Sequence, residues 1–336
     1  MRQDFHVLLV LKFQKLVVFM RTPKKEAFSN SRIHSQKKIV NWPVYNNALR
    51  NRGRIDFMIS ENLSLGWYAD SSGQKKRGGQ VIYSDKAILS CLQIRYLFGF
   101  KLRQTQGFID WIFSTSGMKI TCPDYTTLSK RGKKLGLESL LGQSDKEFDC
   151  VCIDSSGIQT FTGNEWLENK HGKQYKRRTW KKLNIVTAGD GIILANSMTE
   201  HNKDDRSQVA PLLKGVVAKE LLGDSGYDGE NIYQLARSKG MKPTIRPPNR
   251  PPPKKIKTER QKAVAYQKKK GYHAWRVKNN YGRRERVENT FYRYKTSYGS
   301  QFQSRDEHNM KNELTIKCHL LNKMFEIGRP ISARTS

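Results

Sequence analysis

Acidic residues are scarce in this chain of 336 residues: 30 Asp and Glu stand against 62 Lys and Arg, a formal net charge of +32. The excess runs along the whole sequence rather than sitting in one tail, and such a surface seeks a polyanion, of which nucleic acid is the commonest. Cysteine is scarce too. Cys91, Cys122, Cys150, Cys152 and Cys318 are odd in number, scattered, and include no C-x-x-C pair. This argues against a disulfide framework or a zinc site and for a reduced, cytosolic setting. The seven histidines show no H-x-E-x-x-C or H-x(3)-H spacing, so they carry no metal signature either. Long apolar runs are missing. Residues 7–20 come nearest, but Lys12 and Lys15 interrupt them, they fall short of the about 20 residues that span a bilayer, and no small-residue cleavage site follows. No membrane role is expected, and Met20 is an alternative initiator.

What is present falls into three parts. Residues 1–40 are basic and, from 21, polar and aperiodic, and read as a disordered basic N-terminal arm or as residues upstream of the true start. Residues 41–143 read as a mostly helical region. Ser84 or Asp85 can cap a helix to about Phe98, a second spans roughly 103–115, and Asp124 caps a third carrying Lys130 and Arg131 on a basic surface. Two short helices around a Gly-containing turn, the second basic, are compatible with a DNA-binding helix-turn-helix or with a plain helical bundle. Residues 71–80 (SSGQKKRGGQ) read as a loop.

From residue 144 to 330 the rhythm is that of an α/β domain. FDCVCID (148–154) is a short apolar strand closing on Asp154, after which Ser155-Ser156-Gly157 lets the chain turn away. Residues 182–189 and 192–198 flank Asp190-Gly191, the strongest short hairpin signal. A helix (about 205–217), a strand (ELLGDS), a helix (about 230–239) closed by Gly240 and a strand (KPTIR) follow, which predicts one mixed sheet with flanking helices. RPPNRPPPKK cannot lie inside a sheet, because proline lacks a donor; residues 246–272 read as a Pro/Lys-rich insertion. From 241 to 295 there are 18 Lys and Arg against three Glu.

Three acidic positions stand out, each weak alone. Asp154 and Asp224 end apolar runs, and Gly223 and Gly226 around the second allow close approach. In YGRRERVENTFYRYK, Tyr281, Arg284, Glu288 and Lys295 are spaced so that, at about 100° per residue, they share one helix sector of about 60°; Val287, Phe291 and Tyr294 lie opposite and can pack on a sheet. Two strand-end aspartates and a helical glutamate make an oxygen-only set of the kind that hard divalent cations take. Two such ions about 3.5–4 Å apart serve in-line phosphoryl displacement.

These residues resemble the DDE transposases of bacterial insertion sequences, most closely the IS-five group. The signature Y-x(2)-R-x(3)-E-x(6)-K is met by Tyr281, Arg284, Glu288 and Lys295, G-D-x-[AG]-Y-D by Gly223 to Asp228, and strand-D-[ST]-[ST]-G by Ile153 to Gly157. NWPVYNNALRNRG, LRQTQGF, PDYTTLS and KHGKQYKRRTWKKL are similar to that group's landmarks and stand in its order, over roughly residues 41–330. The resemblance implies a ribonuclease-H-like mixed sheet and a catalytic, metal-binding trio of Asp154, Asp224 and Glu288. It implies Mg²⁺, with Mn²⁺ as the alternative, two ions in number, and no small-molecule cofactor. It implies double-stranded DNA as partner, both element ends and target, a homo-oligomer on DNA, and a place in the bacterial cytoplasm at the nucleoid. Tyr281, Arg284 and Lys295 are expected to hold phosphates near the cut. His171, Arg177, Arg178, Trp180 and Lys182, in the basic run from Lys170, are expected to grip terminal DNA, with Lys130 and Arg131 as further contacts; a solvated loop is the alternative for that run. Open alternatives are a catalytically inactive DNA-binding remnant or regulator, a nuclease of the same fold, and a tyrosine recombinase using Tyr281.

Overall fold

The computed structural model describes residues 37–54, 66–70, 80–141, 146–160, 180–251 and 254–334. Two compact units are distinguished. In the first, residues 1–41 and 330–336, strand β1 (Lys37–Ile39) pairs antiparallel with β7 (Ser332–Arg334). The expected arm therefore contains a short paired strand; residues 1–36 lie outside the described residues.

The second unit, Trp42–Arg329, begins with helices α1 (Trp42–Asn51), α2 (Asp85–Phe98), α3 (Leu102–Thr115) and α4 (Tyr125–Gly132). Ser84 caps α2 by accepting the Ala87 N–H, and Gly99 ends it in the left-handed conformation (φ 71°). Asp124 caps α4 with unusual completeness. One carboxylate oxygen accepts the N–H groups of Thr126 and Thr127 at 2.8 and 3.1 Å, and both threonine hydroxyls donate to the carboxylate at 2.6 Å. These hydroxyl bonds hold its pKa well below the usual carboxylate range. Asp124→Ala is expected to cost about 1 kcal/mol or slightly more, read as a lower urea midpoint at unchanged slope. Residues 116–124 separate α3 from α4, nine positions where a helix-turn-helix uses three or four. The pair does not have the tight turn considered for it. Residues 71–79 of the expected loop lie outside the described residues.

The sheet is mixed, in the order β4-β3-β2-β5-β6. Strands β2 (Val151–Gln159), β3 (Trp180–Ala188) and β4 (Ile193–Glu200) are antiparallel neighbours, while β5 (Glu220–Gly223) and β6 (Lys242–Ile245) run parallel to β2. The Asp190-Gly191 hairpin forms with Gly191 at φ 97°. Two expectations are corrected. The helix foreseen over about 205–217 is one 3₁₀ turn (Asp205–Gln208) and one α turn, α5 (Val209–Leu212), cut short before Gly215 turns left-handed at φ 73°. The insertion is only partly irregular: Thr258 and Gln261 form a capping box that starts helix α7 (Glu259–Lys278), broken at Gly271.

Alternation along β2 gives the sheet two faces. Val151 and Ile153 pack with α5 and α6 (Glu230–Ser238), through Val209, Leu212, Ile232 and Ala236. Cys150, Cys152 and Ile158 face α8 (Glu285–Tyr298) and α9 (Glu307–Ile327), where Val287, Phe291, Tyr294, Leu314 and Cys318 are buried. Helix α9 serves two cores, since Ile316 and Leu320 join the apolar cluster of α2, α3 and α4. All five cysteines are buried free thiols. Among the described residues no helix is long and apolar enough to cross a membrane.

Candidate active site

Cys152, Asp154, Ser156 and Ile158 lie on one face of β2 by its period of two, the face that α8 covers. Contrary to expectation, the strand does not end at Asp154. It continues through Ser155-Ser156-Gly157, paired with Asn184, Leu183 and Lys182 of β3. Gly157 serves close packing rather than a turn: a Cβ there would meet the Trp180 ring at 3.1 Å.

The parallel β2–β5 pairing includes Val151 with Leu221 and Cys152 with Leu222. Asp154 and Asp224 each lie two residues further along, on neighbouring strands whose spacing is about 4.8 Å. Asp224 accepts the Gly226 N–H at 2.9 Å and caps a 3₁₀ turn, Ser225–Tyr227. Its strand end is held from behind. Tyr281 donates its hydroxyl to the Gly223 carbonyl at 2.9 Å, and Arg246 donates its backbone N–H to the same oxygen at 3.1 Å.

Tyr281–Arg284 form a 3₁₀ turn ahead of α8, so the four signature residues do not share one uninterrupted helix. Tyr281 is turned inward and is 5% exposed, against the edge of Trp275 with ring centroids 4.9 Å apart. Burial pushes its hydroxyl pKa up. The phosphate contact expected of Tyr281 is corrected accordingly: the side chain braces the strand that carries Asp224. Lys295 does reach the site face, donating to the Ser156 hydroxyl at 2.7 Å.

Arg284 is the centre of the arrangement. It donates to Asp154 Oδ2 at 3.2 Å and, through its other terminal nitrogen, to Glu288. Asp154 and Arg284 side chains are 13% and 14% exposed, and Glu288 is 56% exposed. Burial pushes the Asp154 carboxyl up to about 6, against the pull of Arg284 and of the Ser155 N–H; Asp224 and Glu288 push the same way as burial. Burial works against the charge on Arg284, but Asp154, Tyr281, Glu288 and Asp224 hold it above its ordinary value. Asp154 therefore feels both other carboxylates, and it shares one guanidinium with Glu288. As they stand, no three His, Cys, Asp or Glu side chains among the described residues are gathered closely enough to enclose an ion.

The other expected contacts divide. Trp180 is 37% exposed at the start of β3, with its ring on Gly157. Lys182 is engaged by Asp205 at 2.9 Å and by the Lys203 carbonyl. Arg131 is tied to Asp85 at 2.6 Å and to the Tyr83 carbonyl, bonds that serve the helical layer, whereas Lys130 is exposed. His171, Arg177 and Arg178 lie outside the described residues. Sequence reasoning missed Asp205, which accepts from Ser155 at 3.0 Å; an acid beside the Asp204 cap of a short 3₁₀ turn reads as part of that cap and offers no periodicity to find it by.

A mixed sheet in this order, with one carboxylate on β2, one just past β5 and one on the covering helix, fits the class of polynucleotidyl-transfer enzymes built on a ribonuclease-H-like fold. Comparison with known families gives the particular answer. A family model described as "Transposase DDE domain" matches residues 145–323, and a second of the same description matches residues 50–163. The chain belongs to the DDE transposases, enzymes that cut and transfer DNA with divalent metal ions.

Proposed function

We propose that this chain is the transposase of an insertion sequence of the IS-five group, with Asp154, Asp224 and Glu288 as its catalytic carboxylates. The observation that carries this reading is the single Arg284 guanidinium bridging Asp154 and Glu288, with Asp224 two residues past the β2–β5 ladder.

The donor set fits a hard divalent cation: it is oxygen-only, and burial raises the pKa of its innermost member, Asp154, so that added positive charge beside it would favour its ionised form. Bound there, a pair of Mg²⁺ ions, or Mn²⁺ in their place, supplies Lewis-acid activation of the attacking oxygen and neutralises charge on the leaving one. The protein's own residues do the rest. Arg284, held between Asp154 and Glu288, would offer its planar fork to a phosphodiester. Lys295, anchored on Ser156, adds a second cation on the same face. In the first step water attacks the phosphodiester at the element's end, leaving a 3′-hydroxyl and a 5′-phosphate. In the second that 3′-hydroxyl attacks a target phosphodiester and releases a target 3′-hydroxyl. No covalent protein intermediate is involved, and the buried, bonded hydroxyl of Tyr281 supports this over a tyrosyl route.

Residues 41–143 are assigned to DNA binding and 144–330 to catalysis. The partner is double-stranded DNA, at the element's inverted repeats and at the target, bound by a homo-oligomer at the nucleoid. Incubation of the full chain with Mg²⁺ and a plasmid bearing the flanking inverted repeats is expected to give 3′-hydroxyl ends and strand-transfer joints. Labelled DNA retained on protein in a denaturing gel, or cutting without joining, contradicts the reading.

A further inference from the structure

Among the described residues, Arg246 is a cation near the carboxylate trio that the site leaves without a task. Arg246 follows β6 directly, as Asp224 follows β5, and Gly223 and Ile245 are register partners in that parallel pair. The two residues therefore leave the same end of adjacent strands, where ligands of open α/β sheets are bound. The backbone of Arg246 is fixed by its N–H bond to the Gly223 carbonyl.

Its side chain is fixed as well. The guanidinium lies 4.5 Å over the Tyr272 ring, Tyr272 stacks on Trp275 with centroids 6.3 Å apart and planes at 20°, and Trp275 is 3% exposed against Tyr281. A ladder of rings thus runs from the core at Tyr281 out to an exposed arginine. Cation–π stacking holds the plane of the fork but leaves its N–H donors unspent.

Nearby arginines other than the exposed Arg286 differ. Arg250 and Arg260 share Asp228, Arg276 holds Glu285, Arg283 holds Glu220, and Arg284 bridges Asp154 and Glu288. Local acid is thereby consumed, and Arg246 forms no ion pair or side-chain hydrogen bond among the described residues. The same holds for Lys268, Lys269 and Lys270, which are exposed at the point where Gly271 (φ 85°, ψ 161°) breaks α7. The helix that presents them is anchored: Arg237 pairs with Glu259 and Arg260 with Asp228. A solvated basic face would not need an arginine seated on a ring at a strand end beside the carboxylates.

We infer that Arg246, seated on Tyr272, grips a DNA phosphate beside Asp224, and that Lys268, Lys269 and Lys270 extend this grip along the backbone as a DNA track on α7. The surface deepens the transposase reading and rests on it for the identity of the substrate; its chemistry is recognition of phosphodiester, independent of base sequence. Arg246 is a positioning residue whose fork is matched to phosphate oxygens.

The test uses the full chain and a labelled duplex carrying the element end, with anisotropy read in EDTA across a KCl series and cleavage read separately in Mg²⁺. Arg246→Ala is expected to weaken binding roughly tenfold and to lower the log–log salt slope by about 0.9. Arg246→Lys is expected to restore the slope but not cleavage, because the charge returns without the fork. Replacing Lys268, Lys269 and Lys270 together by Ala is expected to lower the slope by about 0.9 for each lysine in contact; these exposed positions guard against a folding defect. Wild-type affinity and slope in both Arg246→Ala and the triple variant, with unchanged melting temperature, overturn the inference. The binding arm contains no metal, so it stands apart from the catalytic reading. Cleavage by Asp154→Asn would sink that reading and leave a lowered slope in Arg246→Ala intact.

Discussion

Asp154→Asn is expected to abolish Mg²⁺-dependent cleavage of end-bearing DNA while making the metal-free protein more stable. The loss should be on the order of 10³-fold, as when a group that stabilises transition-state charge is removed. The gain follows from burial. The folded carboxyl titrates near 6 against an ordinary 3.8, so between those values the unfolded chain gives up its proton while the folded one keeps it. Stability therefore falls as pH rises through this window and stays lowered above it. A shift of about two units corresponds to at most about 3 kcal/mol, part of which is offset because Arg284 loses one of its two partners. Melting curves in EDTA should coincide near pH 4, separate progressively towards pH 6, and remain apart above it with the Asn variant higher. Such a variant separates lost chemistry from lost folding. A destabilised, inactive Asp154→Asn would show that the carboxylate is structural, and a stable, active one would remove it from the trio.

Glu313→Ala is expected to be among the most destabilising single changes outside the site. Glu313 and Lys317 form an i,i+4 pair on α9 with both side chains fully buried. Lys317 is ringed by Tyr96, Tyr294 and Tyr298 at 5.5 to 6.0 Å from their centroids, and burial pulls its pKa down despite Glu313. The carboxylate also accepts the backbone N–H groups of Gln303 and Ser304 at 2.9 and 2.8 Å, so it fixes the segment joining α8 to α9. Its removal strands a buried ammonium and two donors, at a cost of about 3–5 kcal/mol, or roughly 4–7 °C in melting temperature for a chain of this size. Replacing both partners, Glu313→Gln with Lys317→Met, should recover much of that loss because no charge is left unpaired. If the double variant were as unstable as Glu313→Ala, the backbone bonds rather than the ion pair would carry the effect.

The sheet was legible where apolar rhythm and turn chemistry agree. The Asp190-Gly191 hairpin, the strand ending at Gly223 and the helix before Gly240 formed where local preference predicted, and the apolar run before Asp154 did enter a strand, though one that runs on past it. Legibility failed where long-range pairing overrides a local signal. Ser155-Ser156-Gly157 reads as a turn, but nine residues of β3 hold it in the ladder, and the Trp180 ring needs the space that Gly157 leaves. Helix α7 was hidden because only Val264 and Trp275 of its 20 residues are buried, too few to mark a face. The signature glutamate and lysine lie on the α8 helix predicted for them, while Tyr281 was misjudged: spacing gives a direction around an axis and cannot show that the first turn is 3₁₀. No pattern in one dimension could reveal Arg284 between two carboxylates 134 residues apart in the chain.

The order of strands in the sheet has a temporal consequence during synthesis. Asp154 emerges on β2 with an antiparallel partner close behind it, but its other neighbour, β5, is made some 60 residues later, and Glu288 later still. The helical layer in turn depends on Ile316 and Leu320 of α9 to close its apolar cluster. A ribosome-bound fragment can thus carry much of the basic surface without a complete trio. On the proposed assignment of Glu288, the trio is complete only once α8, the helix before the last, has been made.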